Sequence, residues 1–118
     1  MAYVDGFLAA VRAGNKDEYL DHARKAADIF VEYGAARVVE TWGDDVPDGK
    51  LTDFRRAVQA EEGEVVVFSW IEWSSKEARD AGWKKVMEDP RMRQGAAPPF
   101  DGKRLVYGGF APLLDKTA

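Results

Sequence analysis

The run Val65-Val66-Val67-Phe68-Ser69-Trp70-Ile71 constrains this chain more than any other stretch. Strand side chains alternate between the two faces of a sheet, so an uncharged run of this kind is apolar on both faces. Its β-branched and aromatic residues favour a strand over a helix. Such a strand needs cover above and below. The rest of the chain offers only two substantial helical patterns, which suffice for one face of a small sheet. The other face needs a different cover, and a second copy of the same chain is the simplest candidate.

Tyr3 to Val11 reads as a first strand, with Tyr3, Asp5, Phe7 and Ala9 on one face and Val4, Gly6, Leu8 and Ala10 on the other. Asn15 and Glu18 then have the N-x-x-E spacing of a helix start. The helix is expected to reach about Tyr33, with Tyr19, Ala23, Ala26, Ala27 and Phe30 on one stripe. Gly34 is placed to end it in a left-handed conformation. Ala35 to Trp42 reads as strand two. Gly43 to Asp53 is dense in turn residues, and Pro47-Asp48-Gly49 suits a tight turn.

Phe54 to Gln59 is expected to form a short strand, either a separate edge or the end of a bent strand two. The polar tip Glu61 to Glu64 leads into the central strand, Val65 to Trp73. Ser74 and Glu77 have the S-x-x-E spacing of a second helix start, with Ala78, Gly82 and Val86 on one line and Pro90 marking the end. Arg91 to Phe100 reads as loop and Lys103 to Phe110 as the last strand. Gly108-Gly109 within it implies a bulge or a close backbone approach. The order is the βαββαβ pattern of a ferredoxin-like sheet. The expectation is therefore a single α+β domain over residues 1–118.

A chain of 118 residues can bury a real core. Its formal net charge of -4, without a Lys/Arg stripe, argues against nucleic acid. With no cysteine, disulfides, thiolate nucleophiles and thiolate-bound metals are excluded. The opening Met-Ala-Tyr-Val-Asp-Gly lacks the basic and apolar regions of a signal peptide. No apolar run approaches the roughly 20 residues of a membrane helix. The expected compartment is the cytoplasm. Signatures for flavin, haem or nicotinamide are missing, so no cofactor is expected.

Several residues could carry chemistry. His22, the one histidine, lies beside the apolar stripe of the first helix. It is either a general base at a pocket mouth or a boundary residue of an amphipathic helix. Asp5 and Glu72 are charges inside apolar strands and, if buried, need a partner or a shifted pKa. They join His22 as candidate catalytic groups. Arg37 and Arg55 are their candidate partners. With Glu40 and Trp70 these arginines form a candidate set for orienting a small acidic or phenolic ligand. The bland alternative is a structural ion-pair network. Asp44, Asp45, Asp48 and Asp53 could suggest calcium, but an EF-hand loop from Asp44 would put Val46 third and Arg55 twelfth. Turn chemistry explains them better, and no metal is expected.

Tyr3-Val4-Asp5-Gly6-Phe7, Asp45-Val46-Pro47-Asp48-Gly49-Lys50, Val67-Phe68-Ser69-Trp70-Ile71-Glu72, Asp89-Pro90-Arg91-Met92 and Phe100-Asp101-Gly102-Lys103-Arg104 together resemble the YbaA-like family of small uncharacterised bacterial proteins. The resemblance implies a dimeric α+β barrel, in which two ferredoxin-like sheets close face to face. It implies no activity. Trp73-Ser74-Ser75-Lys76-Glu77-Ala78 is also loosely similar to antibiotic-biosynthesis-type monooxygenases, which share that barrel. Three readings follow. One is a homodimer, joined through the sheet face, that binds a small molecule between sheet and helices. Another is a cofactor-independent monooxygenase- or isomerase-like enzyme. The last is a structural or interaction module.

Overall fold

The computed structural model describes residues 2–93 and 97–118. Its centre is the antiparallel pair β1 (Tyr3–Arg12) and β3 (Glu64–Trp73), in register from Tyr3 opposite Trp73 to Arg12 opposite Glu64. Outside β3 lies β2 (Arg37–Trp42), and outside β1 lies β4 (Val106–Phe110). The sheet order is β2-β3-β1-β4, with every neighbouring pair antiparallel. The apolar run thus occupies an interior strand, with β1 along one edge and β2 along the other.

Two helices, α1 (Lys16–Glu32) and α3 (Lys76–Glu88), pack on one sheet face in a mixed α+β fold. Ile29 and Phe30 of α1 and Val86 of α3 meet Ile71 and Trp73 in the main core, and Trp73 is fully buried. Gly34, at φ 112°, ends the α1 region as its position suggested. The helix starts differ from expectation by local detail. A 3-10 turn at Ala13–Asn15 precedes α1, and the Asn15 side chain makes no cap. Ser75, not Ser74, caps α3, its hydroxyl accepting the Ala78 N–H at 3.0 Å. Beyond Pro90, where a loop was expected, one further helical turn forms, α4 (Pro90–Arg93).

Phe54 to Gln59 is not a strand. It forms the short helix α2 (Phe54–Ala57). The Asp53 carboxylate accepts the Arg56 N–H at 2.7 Å and the Gly49 N–H at 3.0 Å. These two bonds favour a helical turn over a sparse apolar pattern that gives an edge strand little to bury. The consequence reaches the second sheet face. Val58, fully buried, packs on Ala10 and Val66, so the chain itself covers one end of that face. The remainder, around Leu8, Phe68, Trp70 and Phe110, stays open as an apolar groove of about 550 Å³.

The last strand begins at Val106 rather than Lys103, because Asp101 caps a 3-10 turn over Gly102–Arg104. There is no bulge at the paired glycines, since Gly6 faces Gly108 and Asp5 faces Gly109 in regular register. Close approach explains Gly109: a Cβ there would lie 2.5 Å from the Tyr3 hydroxyl and 2.9 Å from Arg79 Nη2.

Candidate functional site

Between the sheet and the helices lies a cavity of about 170 Å³. Its roof is the stripe of α1, where Ala23, Ala26 and Ala27 leave the space that larger side chains would fill. Phe30, Trp83 and Phe100 supply aromatic walls, with the Phe30 and Trp83 rings edge to face at 4.9 Å. The floor is one row of paired strand positions, Phe7 opposite Ser69 and Ser69 opposite Glu40. Alternation along β2 sends Val38, Glu40 and Trp42 to the helix side, where Val38 and Trp42 join core clusters and Glu40 meets the cavity.

In this apolar setting three polar groups converge. The Tyr19 hydroxyl donates to Glu40 Oε1 at 2.5 Å, and the buried Ser69 hydroxyl bonds to the pair. Burial pushes the Glu40 carboxyl above the usual carboxylate range, opposed by the hydroxyls of Tyr19 and Ser69. Burial, reinforced by Glu40, raises the Tyr19 phenol, which stays protonated and a donor. His22 lines the same cavity, edge-on to Phe100 at 6.0 Å. Burial first, and the Lys25 ammonium second, lower its pKa, so its imidazole is neutral at pH 7. An outer groove of about 410 Å³ shares His22, Ala26, Met92 and Phe100 with the cavity. These four side chains stand between the cavity and solvent.

The other candidate residues lie elsewhere. Asp5 is buried on the helix side of β1 and forms a closed cluster. Its carboxylate accepts the indole N–H of Trp73 at 2.9 Å, that of Trp83 at 2.8 Å, and the Arg79 guanidinium at 2.8 and 3.0 Å. That leaves it a structural role. Its cation is Arg79, not Arg37 or Arg55. Glu72 faces the opposite side of the sheet, where it accepts from Trp70 Nε1 at 2.9 Å and pairs with Arg37 at 3.5 Å. Arg55 instead donates to the carbonyls of Glu64 and Glu61, at 2.7 and 3.0 Å. The set Arg37, Glu40, Arg55 and Trp70 is therefore not one site. Only Glu40 reaches the cavity, and Trp70 borders the open apolar groove.

Sequence reasoning passed over Tyr19 and Ser69. Tyr19 stood in the apolar stripe, three residues from His22 on the same helix side, a spacing that signals neighbours. Ser69 is the single hydroxyl within the apolar run, and this was its one legible mark. Among the described residues, no group of three or more His, Asp or Glu side chains gathers to hold a metal.

These features define a small α+β protein with a four-stranded antiparallel sheet, one helix-covered face and a cavity between the two layers. The chain belongs to the family described as protein of unknown function DUF1428, which matches residues 2–102. It is 61% identical over 117 residues to the uncharacterized protein YbaA of Escherichia coli strain K12, covering 98% of this chain and 100% of that protein. The YbaA of Shigella flexneri matches to the same extent. Among solved structures, an uncharacterized NIPSNAP domain protein from Burkholderia xenovorans aligns with a TM-score of 0.56 at 15% identity, over 98% of this chain and 99% of that one. A nipsnap family protein with unknown function from Agrobacterium tumefaciens aligns at a TM-score of 0.53 and 14% identity, over 94% and 87% of the two chains. At such identities the likeness is one of fold alone.

Proposed function

We propose that the protein is a homodimer of ferredoxin-like subunits, joined through the open sheet face as a dimeric α+β barrel. Each subunit binds a small molecule in the cavity between sheet and helices. The observation that carries the binding reading is the cavity itself. Close-packed interiors leave few voids larger than a water molecule. Here an alanine-lined space meets a carboxylate and two hydroxyls, the combination of apolar walls and a few convergent polar groups that small-molecule sites use. The dimer reading rests on the apolar groove left over Leu8, Phe68, Trp70 and Phe110. The proposed compartment is the cytoplasm. In its support, no helix among the described residues is long and apolar enough to cross a membrane.

The test is a fragment screen read by thermal shift and NMR, repeated on Ala26→Phe, which puts a ring into the cavity. Fragments that raise the melting temperature of the parent and lose their effect in Ala26→Phe support the reading. Fragments whose binding is untouched by that change, or the absence of any binder at millimolar concentration, would sink it. A second reading, a cofactor-independent isomerase- or monooxygenase-like enzyme, is favoured by one feature. Glu40 and His22 line the same cavity, and both titrate away from their usual values. On that reading Glu40 accepts a proton from the substrate.

A further inference from the structure

We infer that the cavity selects an uncharged, single-ring molecule bearing a hydroxyl or N–H group, and holds that group against Glu40. The inference rests on the binding reading above and adds the chemical class of the ligand.

Size comes first. An engineered apolar cavity of about 150 Å³ holds one benzene molecule. The cavity here, about 170 Å³, therefore fits one ring with a short substituent. Its aromatic walls, Phe30, Trp83 and Phe100, suit a flat apolar body.

Polarity comes next, and it is one-sided. The cavity's own donors are largely committed. The Tyr19 hydroxyl proton lies on Glu40, and the Trp83 indole N–H lies on Asp5. The Ser69 hydroxyl is engaged with the Tyr19–Glu40 pair. Acceptor capacity remains on the carboxylate of Glu40, on the Tyr19 oxygen and on the neutral His22 ring. Each of these groups can take a further bond, so a ligand that brings a donor adds one and leaves no donor of its own unmet.

Charge comes last. No Lys or Arg is among the described residues lining the cavity, so an anionic ligand would meet the Glu40 carboxylate without compensation. An ammonium would pair with Glu40, but it must shed its hydration to enter walls that are otherwise apolar, a desolvation cost that can exceed the Coulombic gain. A neutral phenol or similar ring avoids both penalties.

Phenol, toluene, benzoate and benzylammonium, near-isosteric probes, test this at pH 7 by titration against the amide NMR signals of Ala23, Ala26 and Ser69. The expected order has phenol about tenfold tighter than toluene, the effect of one hydrogen bond to a charged acceptor. Benzoate and benzylammonium should bind more weakly than phenol. In Glu40→Gln the preference for phenol over toluene should shrink about tenfold. Equal binding of phenol and toluene, or tighter binding of either ion, overturns the assignment of ligand class while leaving the cavity a binding site. An unchanged phenol preference in Glu40→Gln also overturns it. If none of the probes moves these amides, the cavity is not a binding site, and both readings fall together.

Discussion

Arg104 grips the Glu64 carboxylate with two nitrogens, Nη1 to Oε1 at 2.8 Å and Nη2 to Oε2 at 2.9 Å. The pair ties the segment before β4 to the first residue of β3. Arg104 also donates to the Gln59 carbonyl at 2.9 Å, so three parts of the chain meet at one guanidinium. Leu105, next in sequence, lines the cavity, as does Phe100. Removal of this clamp should loosen one wall of the site.

The clamp predicts a specific acid response. Arg104 holds the Glu64 carboxyl well below its usual value of 4.5, down to about 2. A carboxylate depressed in the folded state stabilises above its unfolded pKa, and that contribution is lost as pH falls through the folded value. Glu64→Gln should lower the melting temperature at pH 7. The gap between parent and variant should close as pH falls from about 4.5 to about 2. A gap that does not vary with pH over this window would count against the pairing.

Asp5→Asn should be strongly destabilising. The carboxylate is 2% exposed and accepts from two indoles and a guanidinium. The amide keeps the shape, but it removes the charge opposite Arg79 and turns an N–H₂ group toward donors. Breaking one side of a buried ion pair costs about 3 kcal/mol. Urea denaturation should show that loss, with no comparable effect in Glu72→Gln, whose partner Arg37 is largely exposed.

Gly82→Ala sets two effects against each other. In the interior of α3 alanine is favoured over glycine by about 1 kcal/mol. A Cβ at this position would strike the Trp73 ring and lie 2.9 Å from the Tyr33 carbonyl oxygen. Trp73 is fully buried and cannot step aside, and overpacking costs about 1–3 kcal/mol. The clash should win, giving a net loss of stability by calorimetry. A stabilised variant would show that α3 can shift off the sheet.

Phe68→Asp tests the proposed dimer. Phe68 is 45% exposed on the open sheet face, away from the cavity. A stable interface buries about 800 Å² per partner, and a charge at its centre is poorly tolerated. Light scattering should report a dimer for the parent and a monomer for the variant, with unchanged circular dichroism. A parent that is monomeric at micromolar concentration would remove the dimer from the proposal.

Periodicity and composition settled what is local. The two-sided apolar run identified the interior strand, the alanine stripe identified the face of α1 that meets the sheet, and Gly34 marked where that helix ends. These follow from the chain's own repeat of 2 or 3.6 residues, which needs no knowledge of partners. Even so, the Asp53 cap turned Phe54–Ala57 helical against a weak apolar pattern. Only the tertiary structure decided which charges meet. Asp5 chose Arg79, 74 positions away on α3, over Arg37 and Arg55, the partners expected from the sequence. Glu40, Tyr19 and Ser69 converge because β2 and β3 pair with Glu40 opposite Ser69. A one-residue slip in that register would turn Glu40 to the other face of the sheet. Register arises from the packing of the whole sheet, and for that reason the cavity's polar floor is invisible in any single segment.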